Sequence, residues 1–107
     1  MQNWLFPTID NLDDCSIDEL KDKFMEEVNE FMEALDEYDC DRNKLAVISE
    51  GLDVAHARES IFKKLNITYS DLTEGIQFVT LKNKLRGYYP PDNRTAAEKN
   101  NVQSGRL

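Results

Sequence analysis

Two pairs of carboxylates at helical spacing are the residues of this chain best suited to chemistry. Glu27 and Glu30 lie three residues apart, and Glu50 and Asp53 repeat that spacing further along. A step of three residues brings two side chains to one face of a helix. Carboxylate oxygens are the hard ligands that Mg²⁺ and Mn²⁺ prefer. Two such helices facing each other therefore predict a site for one or more of these ions.

The residues around each pair place it beside an apolar stripe rather than opposite it. Glu27 and Glu30 fall on the same helical flank as Ala34, next to the stripe of the first helix. Glu50 and Asp53 interrupt a second stripe, where apolar residues would be expected. Unpaired buried anions are costly, so these carboxylates must be protonated, paired or bound to a cation. The second stripe consists of Ala46, Val54, Ala57 and Ile61.

Two other kinds of metal site are excluded by single residues. An EF-hand loop beginning at Asp39 would place Lys44 at its sixth position, which needs glycine for the sharp turn. A di-iron carboxylate bundle needs an acid-x-x-His pair on each of two helices, and His56 is the single histidine of the chain. On a helical wheel His56 points away from Glu50 and Asp53, so we expect a surface or interhelical residue rather than a ligand.

The helix that carries the first pair has a clear beginning. Ser16-x-x-Glu19 is a capping box, which predicts that the first helix starts at Ile17. Its apolar stripe ends at Tyr38, and the polar residues 39–43 are expected to break the helix. The stripe recurs at steps of three and four through Ile17, Leu20, Phe24, Val28, Phe31, Leu35 and Tyr38.

Two more helices follow. The pattern predicts a second helix over residues 44–65 that is apolar on two sides, and a third over residues 70–86 that Gly87 ends. Asn66 is suited to the left-handed turn between them. The remaining residues, 90–107, are mostly polar and are expected to form a tail or an arm that lies on a partner.

Length and pattern together predict an all-α, antiparallel helical bundle. A chain of 107 residues is about the size of one domain, which we expect to span residues 1–89. So short a bundle leaves apolar surface uncovered, which favours completion by oligomerisation. No apolar run approaches the roughly 20 residues of a membrane span, and no signal peptide is recognisable, so we expect a cytoplasmic protein. Cys15 and Cys40 are then expected to be free thiols.

Charge is distributed unevenly along the chain. Twenty-one acids against 13 bases argue against general binding to nucleic acids or anionic membranes. Residues 10–41 hold 14 of the acids and only two bases, whereas residues 75–91 contain no acid and include Lys82, Lys84 and Arg86. Cations of this kind, opposite metal-binding carboxylates, suit a polyphosphate ligand.

The order of these motifs resembles a known family. Lys23-x-x-Glu26-Glu27-x-x-Glu30, followed by Glu50-x-x-Asp53 and by the basic stretch 81–88, is similar to the signature of the MazG-like all-α nucleoside triphosphate pyrophosphohydrolases. The likeness covers residues 16–89. Ser60 stands where many relatives have asparagine, and Asn29 where they often have glycine.

The resemblance implies an enzyme that hydrolyses a (deoxy)nucleoside triphosphate to the monophosphate and pyrophosphate, as a homodimer or homotetramer. It implies Mg²⁺, with Mn²⁺ as a substitute. Glu26 and Glu27 would be catalytic, with Glu26 orienting or deprotonating the attacking water. The implied metal ligands are Glu27, Glu30, Glu50 and Asp53, and the implied substrate-binding residues are Lys23, Lys82, Asn83 and Arg86.

Two alternative functions are compatible with the same residues. An acidic helical interaction protein that mimics nucleic-acid charge would use the exposed acids of residues 10–41, such as Asp22, Glu33 and Asp36. A nucleotide sensor would keep the fold and the ligand without turnover. Binding of Mg²⁺ separates the enzyme and the sensor from the interaction protein.

Overall fold

Three α-helices account for most of the described chain. A computed structural model describes residues 4–90. In it a short 3₁₀ turn, Leu12–Asp14, precedes α1 (Ile17–Asp41), α2 (Lys44–Lys64) and α3 (Tyr69–Leu85), and these residues contain no strand. The predicted all-α fold is therefore confirmed. None of the helices in this part of the chain has the length and apolar character needed to cross a membrane.

The capping box that was predicted for α1 is present. The Glu19 N–H donates to Ser16 Oγ at 3.0 Å, and the Ser16 N–H donates to Glu19 Oε1 at 3.2 Å. Two N–H groups that have no partner inside the helix are thereby satisfied. The local sequence thus fixes where α1 begins.

The connection between α1 and α2 is shorter than predicted. Residues 39–41 remain helical, so the expected break at Asp39 was wrong. Helix α1 ends at Asp41, and the next residue, Arg42, has a left-handed φ of 53°. The Asn43 side chain caps α2 by accepting from the Ala46 N–H at 3.1 Å. Polar side chains do not break an exposed helix end, whereas a left-handed residue followed by a cap does. The two-residue link makes α1 and α2 an antiparallel hairpin.

Packing between α1 and α2 positions the carboxylates. Leu20 and Ala34 of α1 are buried, and the rest of the predicted α1 stripe is half-buried apart from Leu35. A Cβ atom at Gly51 would lie 3.1 Å from Phe31 Cε1, so glycine here lets the aromatic ring pack against the backbone of α2. This close approach lies next to Glu50 in sequence.

Of the two apolar faces of α2, only one is largely shielded from solvent. The stripe predicted beside Glu50 and Asp53 is half-buried, whereas Leu45 is 75% exposed, and Ile48 and Leu52 are also exposed. Completion of the bundle by a second copy stays a prediction.

An extended segment before α1 is anchored to α2; we call residues 4–14 the strap. The Glu59 carboxylate accepts the N–H groups of Leu5 and Phe6 at 3.0 and 3.1 Å. Lys63 Nζ donates to the Phe6 carbonyl oxygen at 2.9 Å, and Lys64 Nζ donates to the carbonyl oxygens of Leu12 and Asp13, at 3.2 and 2.9 Å. All of these bonds reach the main chain of the strap.

Contacts divide the chain into two units after Leu72, within α3. The turn before α3 contains Asn66 at a left-handed φ of 60°, as predicted, and a capping box in which Thr68 Oγ1 accepts from the Asp71 N–H at 3.1 Å. In the second unit Gly87 has a φ of 79° and follows the end of α3. The domain boundary at residue 89 is untested, and of the tail expected over 90–107 only Pro90 lies within the described residues. Both cysteines are free thiols, as predicted.

Ser16→Ala removes the side-chain half of the capping box and should lower the free energy of unfolding by about 1 kcal/mol. Urea unfolding followed by far-UV circular dichroism measures this. The control is Ser49→Ala, which changes an exposed serine inside α2 and should cost nothing, because alanine is the better helix former. Equal effects of the two substitutions would contradict the capping role of Ser16.

Candidate metal centre and adjoining cavity

Three of the four predicted metal ligands converge between α1 and α2. Glu27 from α1 and Glu50 and Asp53 from α2 each offer a carboxylate oxygen, and these oxygens all lie within 4.8 Å of one another. We call these three residues the carboxylate cluster. Glu27 is buried, at 7% exposure, Glu50 is half-buried, and Asp53 is exposed. The cluster therefore extends from the interior of the hairpin to solvent.

Glu30 adjoins the cluster without being one of the three converging residues. Its side chain is exposed. The negative charge of Glu27, with smaller contributions from desolvation and from Glu50, raises the pKa of Glu30 above its ordinary value. Glu30 is thus close enough to be repelled by the cluster.

Lys23 holds one carboxylate of the cluster in its charged form. Its Nζ lies 2.8 Å from Glu27 Oε1 and 3.5 Å from Glu26 Oε1. The hydrogen bond from Lys23 lowers the pKa of Glu27 in spite of burial, and the same bond raises the pKa of Lys23. Lys23 therefore pairs with one of the three converging acids.

Two oxygens of the cluster lack hydrogen-bond partners. Glu27 Oε2 and Glu50 Oε2 are buried, and neither finds a donor among the described residues. A buried carboxylate oxygen without a partner is costly, and a bound cation would satisfy it. The donors are all hard oxygens on short side chains, which fits Mg²⁺ or Mn²⁺ better than a soft transition metal. The residues present thus fit the ion that the sequence predicted.

A cavity of about 280 Å³ opens beside the cluster. Lys23, Glu27 and Asp53 line its polar side, and Ile9 of the strap forms part of its apolar side. The complete lining is Ile9, Leu20, Lys23, Glu27, Asp53, His56, Ala57 and Ser60. A ligand in this cavity would contact both the carboxylates and Lys23.

His56 is not one of the three converging residues, but it borders the cavity beside them. His56 lines the same cavity as Glu27 and Asp53, and its ring stacks on Phe6 with centroids 4.6 Å apart. His56 Nε2 is buried and has no hydrogen-bond partner within residues 4–90. Ser60 is also buried, and its hydroxyl donates to the His56 carbonyl oxygen at 3.2 Å. A helical wheel considers only one helix, whereas here the strap closes the cavity over a second face of α2.

The remaining predicted site residues are Glu26, Lys82, Asn83 and Arg86. Glu26 is exposed and is not part of the cavity lining. Lys82, Asn83 and Arg86 belong to the second unit. There Lys82 and Arg86 line a groove with Phe78, Leu81 and Leu85. Their predicted contacts with substrate stay predictions.

Sequence reasoning missed the strap and its anchor. Leu5, Ile9 and Leu12 have helical spacing, but Pro7 lies within this run and the structure shows no α-helix there, so the pattern does not indicate where the strap packs. Glu59, at 4% exposure, belongs to neither of the two predicted carboxylate pairs. The available signal was its position, because a glutamate among the half-buried residues of α2 needs donors, and the main chain of the strap supplies them.

Comparisons of the chain with protein-family models, with curated proteins and with solved structures yield no match. The MazG-like resemblance therefore depends on the motifs and their spacing alone.

Glu30→Gln should raise the free energy of unfolding of the metal-free chain at pH 7, because it removes a charge that Glu27 repels. The raised pKa means that the folded chain holds this proton more tightly than the unfolded chain does. Glu30 therefore favours folding below its unfolded pKa, and that contribution is lost as the pH rises through its folded pKa.

Urea unfolding in the presence of a chelator, between about pH 4 and pH 7, measures the effect of Glu30→Gln. The gain over wild type should shrink as the pH falls. Glu33→Gln, on the same helix but outside the cluster, is the control and should change stability little. A loss of stability at pH 7 in Glu30→Gln would show that this side chain supports the fold instead.

Proposed function

We propose that the protein is an Mg²⁺-dependent hydrolase that converts a nucleoside triphosphate to the monophosphate and pyrophosphate. The observation that carries this proposal is the carboxylate cluster, with two unpartnered buried oxygens, at the edge of a cavity that also contains Lys23. Carboxylates that serve only as a solvated surface would not be buried without partners.

Glu27, Glu50 and Asp53 are the residues that would hold the metal, and Glu30 is a further candidate at their side. When bound, Mg²⁺ neutralises phosphate charge and lowers the pKa of a coordinated water. Glu27 is suited to this task because Lys23 keeps it ionised. Asp53 is exposed and so lies on the side from which a ligand enters.

Lys23 is proposed to bind phosphate oxygens. Its Nζ is shared between Glu26 and Glu27, and more than half of its side chain is accessible to solvent. A lysine that is held by acids remains protonated and can offer its other N–H donors to an anion. Glu26 is the proposed base or orienting group for the attacking water, because its exposed carboxylate is beside Lys23.

Polar and basic residues at the end of α3 and just after it complete the proposal. Lys82, Asn83 and Arg86 would contact the phosphate chain, in a cytoplasmic homodimer or homotetramer that binds neither membrane nor nucleic acid directly. The motif resemblance alone supports these contacts and this assembly.

Glu50→Gln should abolish metal-dependent pyrophosphate release and leave the helical circular dichroism signal unchanged. The assay is pyrophosphate detection over a panel of ordinary and modified nucleoside triphosphates with Mg²⁺. Glu33→Gln, an exposed acid of α1, is the matched control and should keep full activity. If wild type shows no metal-dependent turnover on any triphosphate, the enzyme proposal fails.

Mg²⁺ should stabilise the wild-type chain, because a ligand that binds only the folded state adds about 2.7 kcal/mol at a hundred times its Kd. Isothermal calorimetry and thermal unfolding both measure this, and Glu50→Gln and Asp53→Asn should lose the response. Nucleotide binding without turnover would identify a sensor. Absence of Mg²⁺ binding, with partner binding that instead depends on Asp22, Glu33 and Asp36, would identify an acidic interaction protein.

A further inference from the structure

The strap forms one side of the cavity and contributes Leu12 to the apolar core. Ile9 lines the cavity, and the Phe6 ring covers His56 with an angle of 22° between the ring planes. Leu12 is the only buried side chain of the strap; the other side chains are half-buried or exposed. Between Phe6 and Leu12 only Ile9 is even half-buried, so little apolar burial opposes separation of this part of the strap from α2.

Hydrogen bonds hold the strap at its two ends and not at its middle. Glu59 and Lys63 bind the main chain of Leu5 and Phe6, and Lys64 binds that of Leu12 and Asp13. Residues 7–10, which include Ile9, make no hydrogen bond to α2. The part of the strap that lines the cavity is thus the part least tied to α2.

Closure of the strap leaves a polar atom without a partner. His56 Nε2 is buried beneath this arrangement, and no described residue bonds to it. In an open state water could reach this nitrogen, so the closed state without a ligand carries a desolvation penalty that the open state does not. A ligand that enters while the strap is open can bond to Nε2, which removes the penalty and favours closure around the ligand.

We propose that the strap is a lid that opens from α2, and that a hydrogen bond between the nucleoside part of the ligand and His56 Nε2 holds it closed. The identity of the ligand rests on the proposed function, whereas the opening of the lid does not. A cavity of about 280 Å³ lies just below the roughly 300–1,000 Å³ that whole drug-sized ligands fill. It therefore takes a base or a sugar, with the phosphates at the cluster and Lys23.

Hydrogen exchange on the full, ligand-free chain tests the lid directly. The amides of Leu5 and Phe6 should exchange faster than the amide of Val54 in the middle of α2, because they open locally. Glu59→Gln removes a charged acceptor and should speed exchange at Leu5 and Phe6 about tenfold, with Val54 unchanged. Equal protection of Leu5, Phe6 and Val54 in wild type would overturn the lid.

His56→Phe tests whether His56 Nε2 serves to recognise a ligand. Phenylalanine can keep the stacking on Phe6 but has no unpartnered polar atom, so the ligand-free lid should close more and the amides of Leu5 and Phe6 should exchange more slowly. If His56 mainly supports the fold, His56→Phe should instead speed exchange at the amides of Leu5 and Phe6 and lower the melting temperature. That result would overturn the assignment of Nε2 as a recognition group.

Ligand binding is measured by calorimetry with Mg²⁺, comparing inorganic tripolyphosphate with non-hydrolysable α,β-imido deoxynucleoside triphosphates. His56 is the single histidine of the chain, so its imidazole NMR signal is unambiguous in a protein without a histidine tag. The nucleotides, and not tripolyphosphate, should shift this signal and slow exchange at Leu5 and Phe6. The affinity advantage of nucleotide over tripolyphosphate should fall about tenfold in His56→Phe.

A third probe, the triphosphate of abasic deoxyribose, distinguishes whether the sugar or the base forms the hydrogen bond with His56 Nε2. A shift of the His56 signal with this probe assigns the bond to the sugar, and a shift only with complete nucleotides assigns it to the base. Nucleotide binding that leaves the His56 signal unmoved would overturn the proposed contact. If neither tripolyphosphate nor nucleotide binds with Mg²⁺, the proposed function fails together with the ligand contact, and hydrogen exchange still decides the lid.

Discussion

Mutual repulsion among carboxylates at the α1–α2 interface is the constraint on which the rest of the structure depends. Glu27, Glu50 and Asp53 approach one another closely, although like charges in a partly desolvated site repel strongly. Lys23 offsets only part of this charge. The hairpin must therefore be held together by features outside the cluster.

Those features are mostly local and geometric. A two-residue link sets α1 and α2 antiparallel, caps fix both helix ends at that link, and Gly51 lets the Phe31 ring approach the α2 backbone. None of these contributions needs a large apolar core, which this hairpin does not have. The fold can consequently tolerate acids at positions where a helical pair would ordinarily have apolar side chains.

Features encoded by residues close together in the sequence could be predicted, whereas features that depend on contacts between distant residues could not. Helix starts were predictable because Ser16 and Glu19 carry the information within four residues, and the facing carboxylates because helical periodicity is regular. The position of Glu30 outside the cluster could not be predicted, since a three-residue step defines a face and not a depth. The strap and the true surroundings of His56 depend on contacts over more than 40 residues, which no local pattern records.

The Glu59 anchor allows the side chains that line this cavity to vary. Its carboxylate binds two main-chain N–H groups, which every residue except proline supplies whatever its side chain. Residues of the strap can thus be replaced without loss of the attachment point. The cavity wall they form is modular: its shape and polarity can be altered through evolution or engineering, while the helical hairpin and its carboxylates stay as they are.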